Sequence, residues 1–422
     1  MEGYGLSRRG AANVQAVWPR ISKAAEERER QAGNPCIDLS TSENWLLRNE
    51  LIDLYKQAIE GSLSSHDLSY PDGFAGDLKL LDSLARFFNR YFQPLVPVSR
   101  EHLAVAPGAA FALDSLLYNI CEVGDGLLVP TPCWGSFEWL LSVRSGVQPV
   151  FVTTRNLDDV FSMGVIEALE SAFSKSALPI KGVLFTNPHN PSGQCYPASI
   201  VKAIVKFCGQ RGLHFISDEI YALSSFENPD VSHPVPFVSA LQLDVESLGC
   251  DLSRIHTIWS ISKDFGSSGL RMGCCVSQSN KPLVTGLALV SNTQTSSLTA
   301  IAAASLLSSP KLDDLLALNS HRLARAYLRL TSALKKRGLP YIPATMGPFI
   351  LVRIAPHART WEDEADAIQA YKSAGLSLSA GRSYHLPESE KGWARINFAI
   401  DPNQLTEALQ RIGAAADDCT RL

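Results

Sequence analysis

The chain has 422 residues, of which 45% are hydrophobic and 19% are charged, a composition typical of a globular protein with two or three compact units. The formal net charge of −4 at pH 7 gives no electrostatic reason to expect nucleic acid or an anionic membrane as a partner. Arg8 and Arg9 are not followed by an apolar run, so no secretory signal is predicted. The most apolar stretch, residues 300–307, is too short to span a bilayer.

Cysteine and histidine usage predicts neither disulfides nor a metal site. The nine cysteines are scattered without C-x-x-C spacing, which is typical of reduced thiols in a cytosolic protein. The nine histidines show no pair at metal-ligand spacing, so we predict no zinc site. We therefore expect a cytoplasmic protein.

Short apolar segments alternate with longer amphipathic ones along most of the chain. Helices are expected at residues 77–92, 163–175 and 197–211, and strands at residues 126–130, 147–152, 182–185, 214–217 and 256–259. Beyond residue 300 we expect helices at 310–337, 362–374 and 402–415, with strands at 349–354 and 395–398. Strands separated by helices indicate an α/β fold whose parallel sheet is covered on both faces. We expect a large domain at residues 66–305, a smaller α/β domain at 306–422, and an N-terminal arm at 1–65 that packs with the smaller domain.

Three segments carry unusual polar groups where predicted strands end, which is where ligands bind in open parallel sheets. They are residues 186–193 (TNPHNPSG), residues 217–221 (SDEIY) and residues 260–263 (SISK), the last followed by Arg271. Each alone has a simpler interpretation. The Asn-Pro repeat could be only a turn, Asp218 could cap a helix, and Lys263 could be a solvated side chain. The occurrence of all three segments in one chain, in this order, is harder to explain by chance.

Together these segments meet the chemical needs of pyridoxal 5′-phosphate (PLP). Lys263 can form the Schiff base, and Asp218 can keep the pyridine nitrogen protonated, with roughly 5 kcal/mol of attraction at 3 Å and an effective dielectric constant near 20. The remaining groups can hold the rest of the cofactor. Asn190 and Tyr221 can donate to its phenolic oxygen, and Arg271, Ser260 and Ser262 can bind its phosphate.

The sequence resembles the fold-type I PLP enzymes of aminotransferase class I/II over nearly the whole chain. Within that family it is most similar to 1-aminocyclopropane-1-carboxylate (ACC) synthases and ACC-synthase-like proteins. Seven separated motifs occur in the family's order: SENWL, YPDGF, PTPCWGSF, KGVLFTNPHNPSG, HFISDEIYA, SISKDFGSSGLRMG and ARINFA. The resemblance implies a large domain with a mostly parallel seven-stranded sheet and a smaller α/β domain built from both termini.

The resemblance also implies further cofactor contacts. Ala109 and Ala110 match the start of a helix whose backbone amides bind phosphate, although the family usually has Thr or Ser at position 110. Trp134 matches the aromatic residue that stacks on the cofactor ring, while a core tryptophan is the simpler interpretation. Tyr70 matches a tyrosine that reaches the phosphate of the neighbouring subunit. A homodimer with shared sites follows from that match.

Two matches concern the substrate, an α-amino acid. Arg395 matches the arginine that binds the α-carboxylate, and an arginine within an apolar strand needs such a partner. Glu43 matches a glutamate that ACC synthases carry near the substrate, or else it is a helix-entry residue before a helix at 45–51. Asn190 is also expected to lie beside the substrate.

The reaction type is left with alternatives. Lys263 is the expected base for the Cα proton, and both elimination and transamination can follow. A second cation on the substrate side would be expected within residues 284–298, but this segment contains no Arg or Lys. The distal carboxylate of a dicarboxylate such as aspartate therefore lacks an obvious partner. Together with Glu43, this favours β- or γ-elimination or replacement, for example C–S bond cleavage in secondary metabolism, over transamination. Strict ACC synthase activity is disfavoured by Ala110, Cys133 and residues 267–268, which depart from that family's pattern.

A non-catalytic PLP-binding regulator is the remote alternative. Regulators of that kind resemble this fold but carry an additional DNA-binding domain before it. Only about sixty residues precede the first cofactor motif here, they are not basic, and Lys263 is present. We therefore expect an enzyme.

Overall fold

The computed structural model describes residues 5–30 and 36–419. Its helices and strands follow one another in this order: α1 (Arg8–Arg30), β1 (Ile37–Asp38), α2 (Arg48–Ser62), α3 (Leu78–Tyr91), β2 (Leu103–Ala106), α4 (Ala109–Ile120), β3 (Gly126–Thr131), α5 (Phe137–Val143), β4 (Gln148–Thr153), α6 (Gly164–Lys175), β5 (Ile180–Thr186), α7 (Ala198–Arg211), β6 (His214–Asp218), β7 (Ile255–Ser260), α8 (Ile261–Asp264), β8 (Gly273–Val276), α9 (Lys281–Ser291), α10 (Ser297–Leu307), α11 (Leu312–Lys335), β9 (Tyr341–Ile342), β10 (Phe349–Arg353), α12 (Trp361–Ser373), β11 (Leu376–Ser377), β12 (Ser379–Ala380), β13 (Trp393–Asn397) and α13 (Pro402–Cys419).

The large sheet has seven strands in the order β2-β8-β7-β6-β5-β3-β4. Its strands are parallel except for β8, which runs antiparallel to both of its neighbours. The carboxyl ends of the parallel strands therefore meet at one edge. Because β8 runs the other way, the residues that precede it lie at that same edge.

Alternating side chains of this sheet pack against helices on opposite faces. In β3, Leu128 belongs to a buried cluster with residues of α6 and α7, whereas Leu127 and Val129 belong to a cluster with residues of α4 and α5. The sheet is thus buried on both sides, as apolar strands linked by helices require. The expected α/β class and mostly parallel seven-stranded sheet are confirmed.

A smaller antiparallel sheet, in the order β12-β13-β10-β9, forms with α11, α12 and α13 the C-terminal part of the molecule. The N-terminal segment joins this part, because β1 pairs in parallel with β11 through Ile37 and Leu376. The domain boundaries at residues 65 and 305 stay predictions, and α10 continues to Leu307. None of the helices in residues 5–30 and 36–419 has an apolar stretch that could cross a membrane.

Candidate active site

A cavity of about 1320 Å³ lies between the carboxyl edge of the large sheet and the smaller sheet. It collects most of the side chains that the sequence singled out, although they are far apart in the chain. The predicted residues on its wall are Ala109, Ala110, Trp134, Asn190, Asp218, Tyr221, Ser260, Ser262, Lys263, Arg271 and Arg395. Two predicted residues, Glu43 and Tyr70, do not border it.

Lys263 lies in α8, directly after β7, and it is one of the residues that line the cavity. Its Nζ donates a hydrogen bond to the carbonyl oxygen of Ser42 over 2.7 Å. Burial, reinforced by the positive charge of Arg395, lowers the pKa of Lys263 to about 8. The neutral fraction of the amine near neutral pH is therefore much larger than for an ordinary lysine, and both nucleophilic attack on an aldehyde and proton abstraction require this neutral form.

Asp218 is the last residue of β6, and its register partner on β5 is Thr186. Burial raises the pKa of Asp218 to about 7, while the backbone N–H of Ile220 and the charge of Lys263 act in the opposite direction. Its Oδ1 is buried and has no hydrogen-bond partner among the described residues. A buried acceptor of this kind needs a donor, and the protonated ring nitrogen of PLP is such a donor.

Arg395 and Asn190 are joined directly across the cavity. Arg395 lies on β13, is only 4% exposed, and donates from Nη1 to Oδ1 of Asn190 over 2.9 Å. Its Nη2 donates to the Ser40 carbonyl. Its Nε is buried without a hydrogen-bond partner among the described residues. The guanidinium keeps unused donor capacity for a carboxylate, and the amide nitrogen of Asn190 is left as a donor.

Tyr221 is buried beside this arginine. Its ring meets that of Phe349 edge-on at a centroid distance of 5.1 Å, and Arg395 lies over the same Phe349 ring at 4.9 Å. Burial raises the pKa of Tyr221 well above its ordinary value. The phenol is therefore protonated at neutral pH and can donate its hydrogen.

An anion-binding corner is formed where β2 leads into α4. Gly108 has φ +94°, and a Cβ there would lie 2.3 Å from Nη2 of Arg271, so only glycine lets the guanidinium approach. Arg271 donates to the carbonyl oxygens of Pro107 (2.9 Å) and Ser268 (2.7 Å). α4 begins at Ala109, and the first N–H groups of a helix attract anions. This corner can hold a phosphate.

Ser260 and Ser262 border the cavity on the side of Lys263, where β7 ends and α8 begins. The backbone N–H of Ser262 donates to Oγ of Ser260 over 3.3 Å. Both residues are buried. Their hydroxyl groups are available to the same anion as the guanidinium of Arg271.

Trp134 borders the cavity shortly after β3 and packs edge-on against Phe137 at a centroid distance of 5.4 Å. The carbonyl oxygen of Pro132, two residues earlier, lies 2.8 Å from Nε2 of the buried His189. This contact ties the segment before Trp134 to the Asn-Pro loop after β5. Trp134 is therefore both part of a buried cluster and exposed to the cavity, so the core and ring-stacking interpretations are compatible.

Glu43 reaches the cavity wall only through another side chain. Its Oε1 accepts a hydrogen bond of 2.6 Å from Ser268, which does border the cavity. Its Oε2 accepts from Arg48 (2.8 Å) and Trp45 (3.2 Å). Burial opposes ionisation, but the bonds from Ser268 and Arg48 prevail and lower the pKa of Glu43. α2 begins at Arg48, so Glu43 lies in the segment that leads into this helix, and both interpretations of Glu43 stay open.

Tyr70 lies outside the cavity of its own chain, with 80% of its surface exposed. Leu68 and Phe74, close to it in sequence, are also exposed. A tyrosine among exposed apolar side chains is unusual on a surface that stays in water. No group of His, Cys, Asp or Glu residues in the described part of the chain is arranged to hold a metal ion.

Sequence reasoning missed several residues of the cavity wall. Ser40 and Ser42 contribute backbone carbonyls, which accept hydrogen bonds from Arg395 and Lys263. No sequence pattern predicts contacts of this kind. Trp361, Arg382 and Glu388, from the smaller part of the molecule, also border the cavity. Their spacing carries no signal, because the wall they form exists only after the chain after β12 folds back over α12.

Residues 34–412 match the family model for aminotransferase class I and II, and the chain belongs to this family. It is therefore an enzyme of a PLP-dependent family, and PLP is its cofactor. It is 52% identical to the probable aminotransferase aclI of Aspergillus oryzae, over 97% of each chain. It is 39% identical to the probable aminotransferase sirI of Leptosphaeria maculans, over 99% of this chain and all of that one.

More distant matches agree with the expected subgroup and fold. ACC synthase 6 of Arabidopsis thaliana is 29% identical over 89% of this chain and 75% of its own. An aspartate aminotransferase double mutant from Thermus thermophilus superposes with a TM-score of 0.77 at 22% identity, covering 97% of this chain and 99% of the other. That structure shares the fold.

Proposed function

We propose that Lys263 holds PLP covalently and, once the substrate amine has displaced it, removes the α-proton of the substrate. When bound, PLP withdraws electrons from the α-carbon and makes this proton acidic. The support is the position of Lys263 in α8, directly after β7, together with its lowered pKa and with Asp218 on the neighbouring strand β6. Asp218 binds the ring nitrogen through its unpaired Oδ1.

The other cavity residues hold the cofactor and the amino acid. Asn190 and Tyr221 donate to the ring oxygen, and Trp134 stacks on the ring. The backbone at Ala109 and Ala110 binds the phosphate together with Arg271, Ser260 and Ser262. Arg395 binds the α-carboxylate of the substrate beside Asn190, and Glu43 orients the Ser268 hydroxyl in the adjacent wall.

The active unit we propose is a homodimer. Tyr70 is exposed and does not reach the cavity of its own chain, so its phosphate contact requires the partner subunit. The exposed Leu68 and Phe74 provide apolar area for such an interface. A cytosolic location is also proposed, since the cysteines described with their side chains are all unpaired.

The reaction we favour is β- or γ-elimination, or replacement, at an amino acid with a sulfur leaving group. One observation carries it. Of the arginine and lysine residues that border the described cavity, Lys263 and Arg271 serve the cofactor, and Arg395 is the buried cation left for substrate. The remaining one, Arg382, is exposed to solvent. Residues 284–298 add no cation from either subunit, so a short dicarboxylate such as aspartate finds one partner only.

For a cysteine S-conjugate the reaction balances simply. The α-proton passes to Lys263, and the C–S bond breaks with its electron pair on sulfur. The sulfur then takes up a proton to become a thiol. With one water molecule, the three-carbon remainder gives pyruvate and ammonium. No second organic substrate is consumed.

Transamination is the second candidate, because the most similar relatives reported above are named probable aminotransferases. A role in secondary metabolism is supported by a 35% identical stretch, covering 83% of this chain, in an Aspergillus terreus protein named trimodular acetylaranotin synthesis protein. This chain spans 35% of that longer protein.

A single-substrate incubation separates the two reactions. Purified holoenzyme is given one S-substituted cysteine and no 2-oxo acid, and thiol, ammonium and pyruvate are measured. Elimination predicts many turnovers with the three products in equal amounts. Release of one equivalent per site of the 2-oxo acid that corresponds to the intact substrate, without thiol or ammonium and with turnover restored by an added 2-oxo acid, would establish an aminotransferase instead.

A further inference from the structure

Arg382 is a cation on the cavity wall that the cofactor and α-carboxylate do not use. It lies in the turn after β12 and borders the cavity with Trp361. Its guanidinium lies over the Trp361 ring at 5.8 Å. Within the described part of the chain, the guanidinium forms no hydrogen bond or ion pair, while its backbone N–H donates to Glu364. The guanidinium is therefore available to a ligand.

The backbone that carries Arg382 is fixed relative to Arg395. The buried carboxylate of Glu364 accepts hydrogen bonds from the N–H groups of Arg382 (2.8 Å), Gly392 (2.9 Å) and Trp393 (3.2 Å). Three residues before Arg382, Ser379 pairs directly with Arg395 in the small sheet. The two arginines therefore lie on one rigid unit, with Arg395 buried and Arg382 exposed.

The carboxylates near Arg382 are already engaged. Glu388 accepts from the indole nitrogen of Trp361, at 3.1 and 3.0 Å, and pairs with Lys391 at 3.2 Å. Glu364 is occupied by its three backbone donors. Neither lies within ion-pair distance of the Arg382 guanidinium, whose charge acts on both carboxylates only at longer range.

We propose that Arg382 binds a carboxylate at the far end of the substrate's side chain, with the Trp361 ring against the apolar part before it. This inference rests on the proposed function, because it assigns the substrate side chain to the outer part of the same cavity. Arg395 holds the α-carboxylate in the buried part, and Arg382 selects a second acid near solvent. The substrate class is then an S-conjugated amino acid whose leaving group is long and acidic, not a short dicarboxylate.

Binding of a matched pair of probes tests this proposal. The probes are the α-methyl derivatives of S-benzylcysteine and S-(4-carboxybenzyl)cysteine, which lack the α-proton and therefore report affinity without reaction. Calorimetry on the wild-type holoenzyme should show the carboxylated probe binding roughly five- to tenfold more tightly, as expected for a charge-assisted pair that is partly exposed. Arg382→Met should lose that preference and keep its affinity for the uncharged probe.

Arg359→Met is the matched control, because Arg359 is an exposed arginine in the same region that does not border the cavity. It should retain the wild-type preference. Equal affinities in the wild type, a preference that survives in Arg382→Met, or no binding of either probe would overturn the proposal. The proposed reaction fails separately, if the parent compounds with an α-proton bind selectively but release no thiol.

Discussion

The guanidinium of Arg395 donates a hydrogen bond of 2.9 Å to the side-chain oxygen of Asn190, which lies 205 residues earlier in the chain. Arg395 belongs to the small sheet, and Asn190 to the loop after β5 of the large sheet. The contact therefore joins the two parts of the molecule inside the cavity. It fixes both the plane of the guanidinium and the orientation of the amide.

Arg395→Lys should weaken substrate binding severely, because an ammonium group cannot contact Asn190 and both oxygens of a carboxylate with the geometry of a guanidinium. We expect kcat/KM to fall by roughly 30- to 1000-fold, mainly through KM, as the loss of a charge-assisted contact implies. Steady-state kinetics and the absorbance of bound cofactor measure the two effects. Arg353→Lys, on the adjacent strand β10, is the control, and an equal loss there would contradict a specific role.

Asp218→Asn should retain PLP but lose most of its activity. A neutral amide cannot keep the ring nitrogen protonated, and the roughly 5 kcal/mol of lost attraction corresponds to a rate lower by several powers of ten. Cofactor content and single-turnover rates are the measurements. Glu219→Gln is a matched control, since Glu219 is the neighbouring buried carboxylate, held by Ser217, Ser239 and Ala240. Activity of Asp218→Asn within tenfold of wild type would rule out this role.

Reduction with borohydride should attach the cofactor to Lys263 alone. The amine of Lys263 is buried in the cavity wall and has a pKa of about 8, which favours condensation with an aldehyde. Mass spectrometry of the digested protein locates the label, and the same treatment of Lys263→Ala is the control. A label on any other lysine would refute the assignment of the catalytic base.

Mixed dimers test the contribution of Tyr70 across the interface. Tyr70→Phe and Lys263→Ala subunits should each be impaired alone. In a heterodimer, one of the two sites receives both an intact Tyr70 and an intact Lys263. Mixing the variants should therefore restore up to about half of the wild-type activity per dimer, after heterodimers have been verified by differential tagging. Heterodimers without any recovery would mean that the sites are not shared.

Stability should fall in mild acid because of two paired histidines at the far end of the large sheet. His214 Nδ1 lies 2.9 Å from Nε2 of the buried His256. Burial, with the nearby positive charge of Arg254, lowers the pKa of His214 to about 4, and burial also lowers the pKa of His256 well below its ordinary value. The unfolded chain takes up these protons below about pH 6.5, so the stabilisation is complete above that pH and is lost as the pH falls towards 4.

The histidine contribution is measurable by denaturant titration at pH 7 and pH 5. His214→Gln should reduce the pH-dependent change in the free energy of unfolding by on the order of 1–2 kcal/mol. His233→Gln, which alters an exposed histidine, should leave that change as in the wild type. Identical pH dependence in both variants would show that His214 is not held neutral by the fold.

The strongly patterned elements were predictable from the sequence, while the weakly patterned ones were not. The expected strands at residues 214–217 and 256–259 correspond to β6 and β7 within one or two residues. By contrast, β2 (LAVA) and β8 (GCCV) are short and rich in small residues, and residue patterns alone did not indicate them. The family resemblance implied a sheet of seven strands, but it did not locate these two.

The candidate site divides in the same way. Lys263, Asp218 and Asn190 follow strands of one sheet, so topology alone brings them together. Arg382 reaches the cavity because Glu364 binds the backbone of a distant turn, and Glu43 reaches it through Ser268. These are tertiary contacts between segments of unrelated sequence, and no local pattern encodes them.

Arg271 is held close to Gly108 by hydrogen bonds to two backbone carbonyls. A guanidinium that is already ordered loses little conformational entropy when a phosphate binds, so most of the attraction contributes to affinity. This offers a reason why the chain can have Ala110 at a position where the family resemblance leads us to expect Thr or Ser. The chain has one donor fewer at this corner, but the Arg271 guanidinium is already held in place and loses little rotational freedom when a phosphate binds.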